Sequence, residues 1–147
     1  MQKSEYLNLW VDLIHTNDAI SKVRQKELKP FDVTPEQTGI LFCLTLVAKN
    51  PTPADLSRML IKDRSSITLM LNRMETKGLI SKRVDDKNKN LVRVSITEKG
   101  RKIYIQIIDK FSIYRIFSGL TDEQCQQLQT YLKLLQARAS EELKNFG

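Results

Sequence analysis

The sequence has few of the residues on which enzymes and metalloproteins depend. Its 147 residues include one histidine and two cysteines, and Cys43 and Cys125 are too far apart to match a metal-binding spacing. No GxSxG, Walker, HExxH or CxxC pattern occurs, and His15 has no evident nucleophile as a partner. Asp85 and Asp86 form a carboxylate pair, but they lie on a lysine-rich turn where solvation is expected. We therefore expect no catalysis, no metal and no other cofactor.

Long apolar runs are also missing. No stretch approaches the roughly 18 consecutive apolar residues of a membrane span, and the opening MQKSEYLNLW lacks the layout of a signal peptide. The content of 41% hydrophobic and 28% charged residues is typical of globular proteins. The length fits one domain, or one domain with an appended helical bundle. We expect a cytoplasmic protein that has no membrane partner.

Positive charge, in contrast, is abundant and unevenly distributed. The net charge is +7; residues 52–100 hold 11 Lys and Arg against 6 Asp and Glu, which gives +5. The other residues hold 13 against 11, which gives +2. Positive charge concentrated in one third of the chain is what attraction to phosphate groups requires.

Residues 52–100 predict two short helices joined by a tight turn. Thr52 is expected to cap the first helix by accepting from the backbone N–H of Asp55, and Pro53 suits the first helical position. Asp63 is expected to cap the second helix, which Gly78 ends. The apolar faces predicted for the two helices are Leu56, Met59 and Leu60, and Ile67, Leu71 and Met74.

A two-stranded hairpin is predicted directly after these helices. Ile80–Val84 and Leu91–Ile96 have strand-like sequences, and the DDKNKN tip between them carries Lys87 and Lys89 at its apex. A hairpin beside a helix-turn-helix pair forms a winged helix, whose wing is placed to reach the DNA backbone or the minor groove.

The solvent side of the second helix differs from an ordinary charged surface, because short hydroxyl, amide and guanidinium side chains replace a Lys–Glu ladder. Such side chains let a helix enter a major groove, where Asn pairs with adenine edges and Arg with guanine or phosphate. The residues predicted to contact DNA are Arg64, Ser65, Ser66, Thr68, Asn72 and Arg73 in the helix, with Lys82, Arg83, Lys87 and Lys89 around the wing.

Longer amphipathic helices flank this unit. Residues 4–28 form a helix that is apolar on much of its girth and needs more than one neighbour. A capping box at Thr34 opens a helix over residues 35–49. After Thr97 a helix continues to about Phe117, and a second capping box at Thr121 opens a helix that ends near Leu143.

The predicted architecture is therefore mainly α with a minor β component. A winged helix-turn-helix DNA-binding region spans residues 34–100. Residues 1–33 and 101–147 form a helical dimerisation region, whose apolar stripes would be buried across a two-fold axis. Such a dimer presents two recognition helices to successive major grooves, about 34 Å apart.

Four segments in this order and spacing resemble the MarR family of winged helix-turn-helix transcriptional regulators: TPEQ, TPADLSRML, SSITLMLNRMETKGLISKR and VRVSITEKG. The resemblance spans nearly the whole chain. It implies a homodimer that binds pseudo-palindromic double-stranded DNA and is often released by a small aromatic or phenolic effector. That ligand would lie between the dimer helices and the winged unit, where Trp10, His15, Phe31 and Phe42 are candidate pocket residues by placement.

The wing departs from the family pattern. Members often carry an Asp-x-Arg motif whose Arg enters the minor groove, and the matching positions here are Asn88 and Asn90. We expect Lys87 and Lys89 to contact phosphate instead. Some members sense oxidants through a cysteine in the first helix, which has none here. Cys43 is expected to be buried and Cys125 partly exposed.

Two functions from different classes remain open. The leading hypothesis is a DNA-binding transcriptional regulator, more specifically a repressor. The alternative is a winged-helix module that binds a protein through the same exposed helix face. Leu69 on that face is the best support for the alternative, although leucine also fits against a thymine methyl group.

Overall fold

Seven α-helices and one hairpin build the chain, and the computed structural model describes all residues from 1 to 147. They form two compact units, residues 1–110 and residues 111–147. The first unit contains α1 (Lys3–Leu28), α2 (Pro35–Phe42), α3 (Pro53–Leu60), α4 (Arg64–Thr76), β1 (Ile80–Val84), β2 (Val92–Ile96) and α5 (Glu98–Asp109). The second contains α6 (Ser112–Phe117) and α7 (Asp122–Phe146).

The predicted fold class is confirmed: the chain is mainly helical, with a two-stranded antiparallel sheet after the helix-turn-helix pair α3–α4. The predicted division at residues 33 and 100 concerns function and stays a prediction. The boundary between the two compact units falls elsewhere, between Lys110 and Phe111. None of the helices combines the length and the hydropathy that a membrane span requires.

The core of the first unit lies behind α4. The predicted inward residues of α3 and α4 are buried or half-buried, as expected. The fully buried side chains are Leu28, Ile40, Leu41, Leu56, Ile67, Leu71, Met74, Leu79, Ile80, Val94 and Ile107. Cys43 is buried as predicted, and this burial raises the pKa of its thiol. The core thus fixes which side of α4 remains for an external partner.

Capping follows the sequence closely. The Thr52 hydroxyl accepts from the Asp55 N–H at 3.1 Å, and the Asp55 carboxylate accepts from the Thr52 N–H at 2.9 Å. That second bond is the main cause of the lowered pKa of Asp55. The predicted boxes at Thr34 and Thr121 are confirmed as well. Asp63 occupies the cap position of α4, but its side chain makes no capping hydrogen bond, so this part of the prediction is wrong.

The helix predicted over residues 35–49 is wrong in its second half. α2 ends at Phe42 and passes into a π-helical turn, Cys43–Val47. The Thr45 hydroxyl donates to the Leu41 carbonyl at 2.7 Å, and the Ala48 N–H donates five residues back to Cys43 at 2.9 Å. A threonine hydroxyl that competes for a helix carbonyl favours such a change from α-helical to π-helical hydrogen bonding.

The single helix predicted from Thr97 to Phe117 is two helices. α5 ends at Asp109, and Phe111 has an extended backbone with φ −73° and ψ 100°. Its ring packs edge-to-face on Tyr114, with ring centroids 5.4 Å apart, and such pairs favour this geometry. Ile103, Ile107, Phe111 and Tyr114 therefore do not form one continuous stripe. The last helix is slightly longer than predicted and ends at Phe146.

The two helices of the helix-turn-helix end in the same way with different residues. After α4, Gly78 adopts φ 75°, and the Leu79 N–H donates to the Met74 carbonyl at 2.9 Å. After α3, Ile61 adopts φ 52°, and the Lys62 N–H donates five residues back at 3.0 Å. Both are Schellman-type ends, for which glycine is the usual residue. A β-branched residue in this conformation is strained.

Replacing Ile61 with glycine is expected to stabilise the protein by about 1 kcal/mol, because a left-handed conformation costs an ordinary residue roughly 1–2 kcal/mol. The Ile61 side chain is 66% exposed, so little packing is lost. Urea unfolding measures the difference. Ile61→Val retains the branched carbon and should bring no gain; a Gly variant less stable than the Val variant would contradict this account.

Candidate nucleic-acid interface

α4 divides into a buried side and a side that faces solvent. Ile67, Leu71 and Met74 are buried. All six residues of α4 predicted to contact DNA are exposed, namely Arg64, Ser65, Ser66, Thr68, Asn72 and Arg73. The structure thus brings the predicted helix residues together on one accessible surface.

Part of the hydrogen-bonding capacity of that surface is used within the helix. The Thr68 hydroxyl donates to the Arg64 carbonyl at 2.8 Å, and the Thr76 hydroxyl donates to the Asn72 carbonyl at 3.0 Å. Each hydroxyl then keeps only acceptor lone pairs for an outside partner. The donors on this face that remain for acceptors on a base or phosphate come from the arginines, from Asn72 and from the hydroxyls of Ser65 and Ser66.

Lys82 and Arg83, which the sequence groups together, lie on opposite faces of the hairpin. Lys82 is paired in register with the buried Val94, and its ammonium group donates to the Asn72 side-chain oxygen. It also lies 3.6 Å from the Glu75 carboxylate. Arg83 is exposed and paired in register with Arg93 on the other face. Lys82 therefore belongs to the recognition helix surface.

The outer face of the hairpin is held by Asp85. Its carboxylate accepts from Arg93 Nε at 2.7 Å and from the backbone N–H groups of Lys87 and Asn88 at 2.8 and 3.0 Å. The Arg93 bond, followed by these backbone bonds, lowers the pKa of the Asp85 carboxyl. A lowered pKa means that this support persists at neutral pH and is lost as acid protonates the carboxylate.

The wing tip is a folded turn with exposed lysines. The Asn88 side-chain oxygen accepts from the backbone N–H of Asn90 at 3.0 Å, and the Leu91 N–H donates to the Asn88 carbonyl at 3.0 Å. Lys87 and Lys89 are exposed. Asn88 thus orders the tip, from which the two lysine side chains extend into solvent.

Two further contacts connect the hairpin to the rest of the winged unit. The backbone N–H of Val94 donates to the Pro51 carbonyl at 2.9 Å, and the Arg93 guanidinium donates to the Asn50 carbonyl at 3.4 Å. Asp85 and Arg93 order the hairpin and Glu75 pairs with Lys82, and none of these contacts was predicted from the sequence. Besides the two backbone bonds within the turn that Asp85 makes, their partners lie 7 to 43 residues away, and no local pattern marks these longer contacts.

The four candidate pocket residues do not surround one described cavity. Trp10, His15 and Phe42 are exposed, and Phe31 is half-buried against the core. A cleft of about 330 Å³ at the start of α2 has a different lining, which includes Gln25, Lys29, Thr34 and Lys77. A pocket built from the four residues stays a prediction.

A helix-turn-helix followed by a hairpin, with a basic and hydroxyl-rich exposed face on its second helix, defines the winged helix-turn-helix class. No protein-family model matches the sequence. The HTH-type transcriptional repressor MdtR of Bacillus subtilis is 30% identical over 116 residues, which cover 77% of this chain and 74% of MdtR. The multiple antibiotic resistance protein MarR of Escherichia coli is 32% identical over 92 residues, 62% of this chain and 63% of MarR.

A solved structure agrees with these relatives. The organohalide-sensing regulator RdhR in its 2,4-dichlorophenol-bound form superposes with a TM-score of 0.81 and 27% identity, covering 94% of this chain and 82% of RdhR. The chain belongs to the MarR family of winged helix-turn-helix transcriptional regulators. It is a DNA-binding transcriptional regulator, and the family resemblance is thereby confirmed.

Proposed function

We propose that the protein is a homodimeric repressor that binds pseudo-palindromic operators by placing α4 of each subunit in the major groove. The observation that carries this proposal is the exposed face of α4. From Arg64 to Arg73 the helix contains no acidic residue, and apart from Leu69 its exposed side chains between the two arginines are short polar groups. A helix of this kind approaches phosphates without repulsion and reaches base edges.

Uncovered apolar side chains on the longest helices support the homodimer. In α1 only Arg24 and Leu28 are buried, and in α7 no residue is buried. Exposed apolar side chains in this number on one helix mark an interaction site. The large apolar residues exposed on these helices are Tyr6, Leu7, Leu9, Trp10, Val11, Leu13, Ile14, Val23, Tyr131, Leu134, Leu135, Leu143 and Phe146. A second copy of the chain offers a matching surface.

The wing lysines are proposed to bind phosphate, and Arg64 to contribute more to base selectivity. The Lys87→Ala/Lys89→Ala variant is expected to weaken binding to operator and to random duplex alike, and to lower the salt slope by about two units. Arg64→Ala should weaken operator binding more than random binding. Fluorescence anisotropy at several salt concentrations measures both; a wing effect confined to the operator would contradict the assignment.

A small phenolic effector is proposed to weaken operator binding. Support comes from the family and from RdhR, whose structure contains 2,4-dichlorophenol. Titrating 2,4-dichlorophenol into the protein–operator complex tests this chemical class. Release at concentrations that leave the fold intact supports it, and unchanged operator affinity up to the solubility of the compound argues against it.

The alternative function, a protein-interaction module, has one supporting observation. Leu69 lies in the middle of the α4 surface and is 51% exposed. Selection of duplexes from a random library separates the two functions. Enrichment of a pseudo-palindromic sequence supports the regulator. Failure to enrich any sequence, at low salt and with folded protein, favours the protein-binding module.

A further inference from the structure

We infer that Lys82 sets the base preference of α4 by fixing the orientation of the Asn72 amide. This inference deepens the proposed function and depends on it. Lys82 lies on β1, ten residues after Asn72, yet its ammonium group donates to the Asn72 side-chain oxygen. Lys82 is therefore a positioning residue that acts on a base-contacting neighbour.

The contact is built into the fold. Lys82 is held in the hairpin opposite Val94, which is fully buried, so the position of its backbone is fixed by the core. The Lys82 side chain is only 22% exposed and lies 3.6 Å from the Glu75 carboxylate. Asn72 and Glu75 are three residues apart on α4 and so lie on neighbouring turns of one face. One ammonium group thus contacts two consecutive polar positions of the helix.

The chemistry of lysine determines which way the amide faces. An ammonium group has three donors and no acceptor, so only the oxygen of the Asn72 amide can face it. In the flipped orientation the NH₂ group would meet the positive charge without forming a hydrogen bond. Asn72 consequently keeps its oxygen toward the hairpin, and both N–H donors remain for an outside partner.

This orientation of the Asn72 amide changes the base that Asn72 is expected to prefer. Bidentate pairing with adenine needs the amide oxygen to accept from the adenine amino group while the amide nitrogen donates to N7. Here the oxygen already accepts from Lys82, and the adjacent positive charge disfavours an approaching amino group. Guanine presents two neighbouring acceptors, N7 and O6, in the major groove. The geometry points to guanine, where the sequence alone suggests adenine.

The test needs variants that also account for the charge of Glu75. Removing only the Lys82 charge would leave the Glu75 carboxylate facing DNA phosphates, and binding to every sequence would weaken. The Lys82→Met/Glu75→Gln variant removes both charges while keeping side chains of similar size. Glu75→Gln alone keeps the Lys82–Asn72 bond and serves as the matched control. Asn72→Ala identifies the base pair that Asn72 contacts.

The experiment measures the affinity of each variant for a selected operator and for every single base-pair substitution in one half-site. Asn72→Ala should lose discrimination at one base pair, where the wild type prefers guanine over adenine about tenfold. Glu75→Gln should keep that preference. Lys82→Met/Glu75→Gln should lose or reverse it at that base pair alone.

Three results would overturn the inference: a wild-type preference for adenine at that base pair, no base pair affected by Asn72→Ala, or unchanged preference in Lys82→Met/Glu75→Gln. Circular dichroism and the preferences at the other base pairs show whether a variant is folded. If the wild type itself binds no selected sequence, the proposed function fails, and that outcome is distinct from the three above.

Discussion

Replacing Gly100 with alanine is expected to lower the free energy of unfolding by about 3 kcal/mol, among the largest effects of a single methyl group on this protein. A Cβ atom at Gly100 would lie 2.1 Å from the Leu79 carbonyl oxygen and 3.0 Å from the Ile96 side chain. The first obstacle is backbone, which no rotamer change moves aside. Leu79 is itself buried in the core, so the strain is not relieved locally.

The close approach arises because the start of α5 packs on the connection between α4 and β1. The Thr97 N–H donates to the Leu79 carbonyl at 3.1 Å, and the Thr97 hydroxyl accepts from the Gly100 N–H at 3.0 Å. The Thr97 hydroxyl also donates to the Gly78 carbonyl. This junction fixes α5 against the end of the recognition helix, so a side chain here also disturbs the placement of α4.

Urea or thermal unfolding at matched protein concentration measures the effect, with an expected decrease in the melting temperature of roughly 10 °C. Gly39→Ala is the matched control. A Cβ at Gly39 meets only the end of the Leu60 side chain, at 3.5 Å, and Gly39 lies inside α2, where alanine is the better helix former. It should be neutral or stabilising. Equal stabilities of the two variants would show that the junction tolerates a side chain.

Placing a charge on the exposed apolar surface of α1 is expected to convert a dimer into monomers and to reduce operator affinity by roughly 100-fold or more. Leu7 is 60% exposed in the isolated chain, so Leu7→Glu removes little packing within the subunit. In the proposed dimer the same residue is covered, and a buried unpaired carboxylate strongly disfavours association. The loss of affinity follows because two linked half-site contacts become one.

Analytical ultracentrifugation at micromolar concentration distinguishes the 17.0 kDa chain from a dimer of twice that mass. Ala19→Glu is the control on the same helix. Ala19 is exposed and lies nine residues from Trp10, which at 100° per residue places it opposite the middle of the apolar surface of α1. The Ala19→Glu variant should remain dimeric and bind the operator. A dimeric Leu7→Glu variant with full affinity would place the subunit interface elsewhere.

The fold follows from sequence where local chemistry decides it. Thr52 and Thr34 precede proline and an acidic or amide residue at the third helical position, and this pattern alone specifies a capped helix start. The inward faces of α3 and α4 follow from helical periodicity. β1 was predicted with its observed bounds, because a short segment that begins and ends with a β-branched residue between Gly78 and the charged tip is typical of a strand.

Other features depend on tertiary structure and carry no local signal. Nothing near Ile61 indicates a left-handed residue, because the sequence lacks the glycine that usually marks such a position. The break at Phe111 interrupts a helical pattern that would otherwise continue. Propensity is a weak guide to such a break, because tertiary packing overrides it.

The DNA-binding interface, like the fold, was predictable from sequence only in part. The exposed face of α4 follows from helical periodicity, and all of its predicted residues are accessible. The role of Lys82 does not follow from periodicity. Its partners Asn72 and Glu75 lie on another element, and Lys82 contacts them only once the hairpin has folded against α4. The sequence identified Lys82 as a basic residue near the wing, whereas the structure places it beside the recognition helix.

The central claim is that two copies of this chain read one operator through α4. The most direct test is fluorescence anisotropy with a selected operator duplex and a random duplex at two salt concentrations, combined with a stoichiometric titration. We predict two chains per operator and a preference for operator of at least about a thousandfold over random DNA. Weak binding that is equal on both duplexes and disappears at higher salt would contradict the claim, because only a basic surface would then remain.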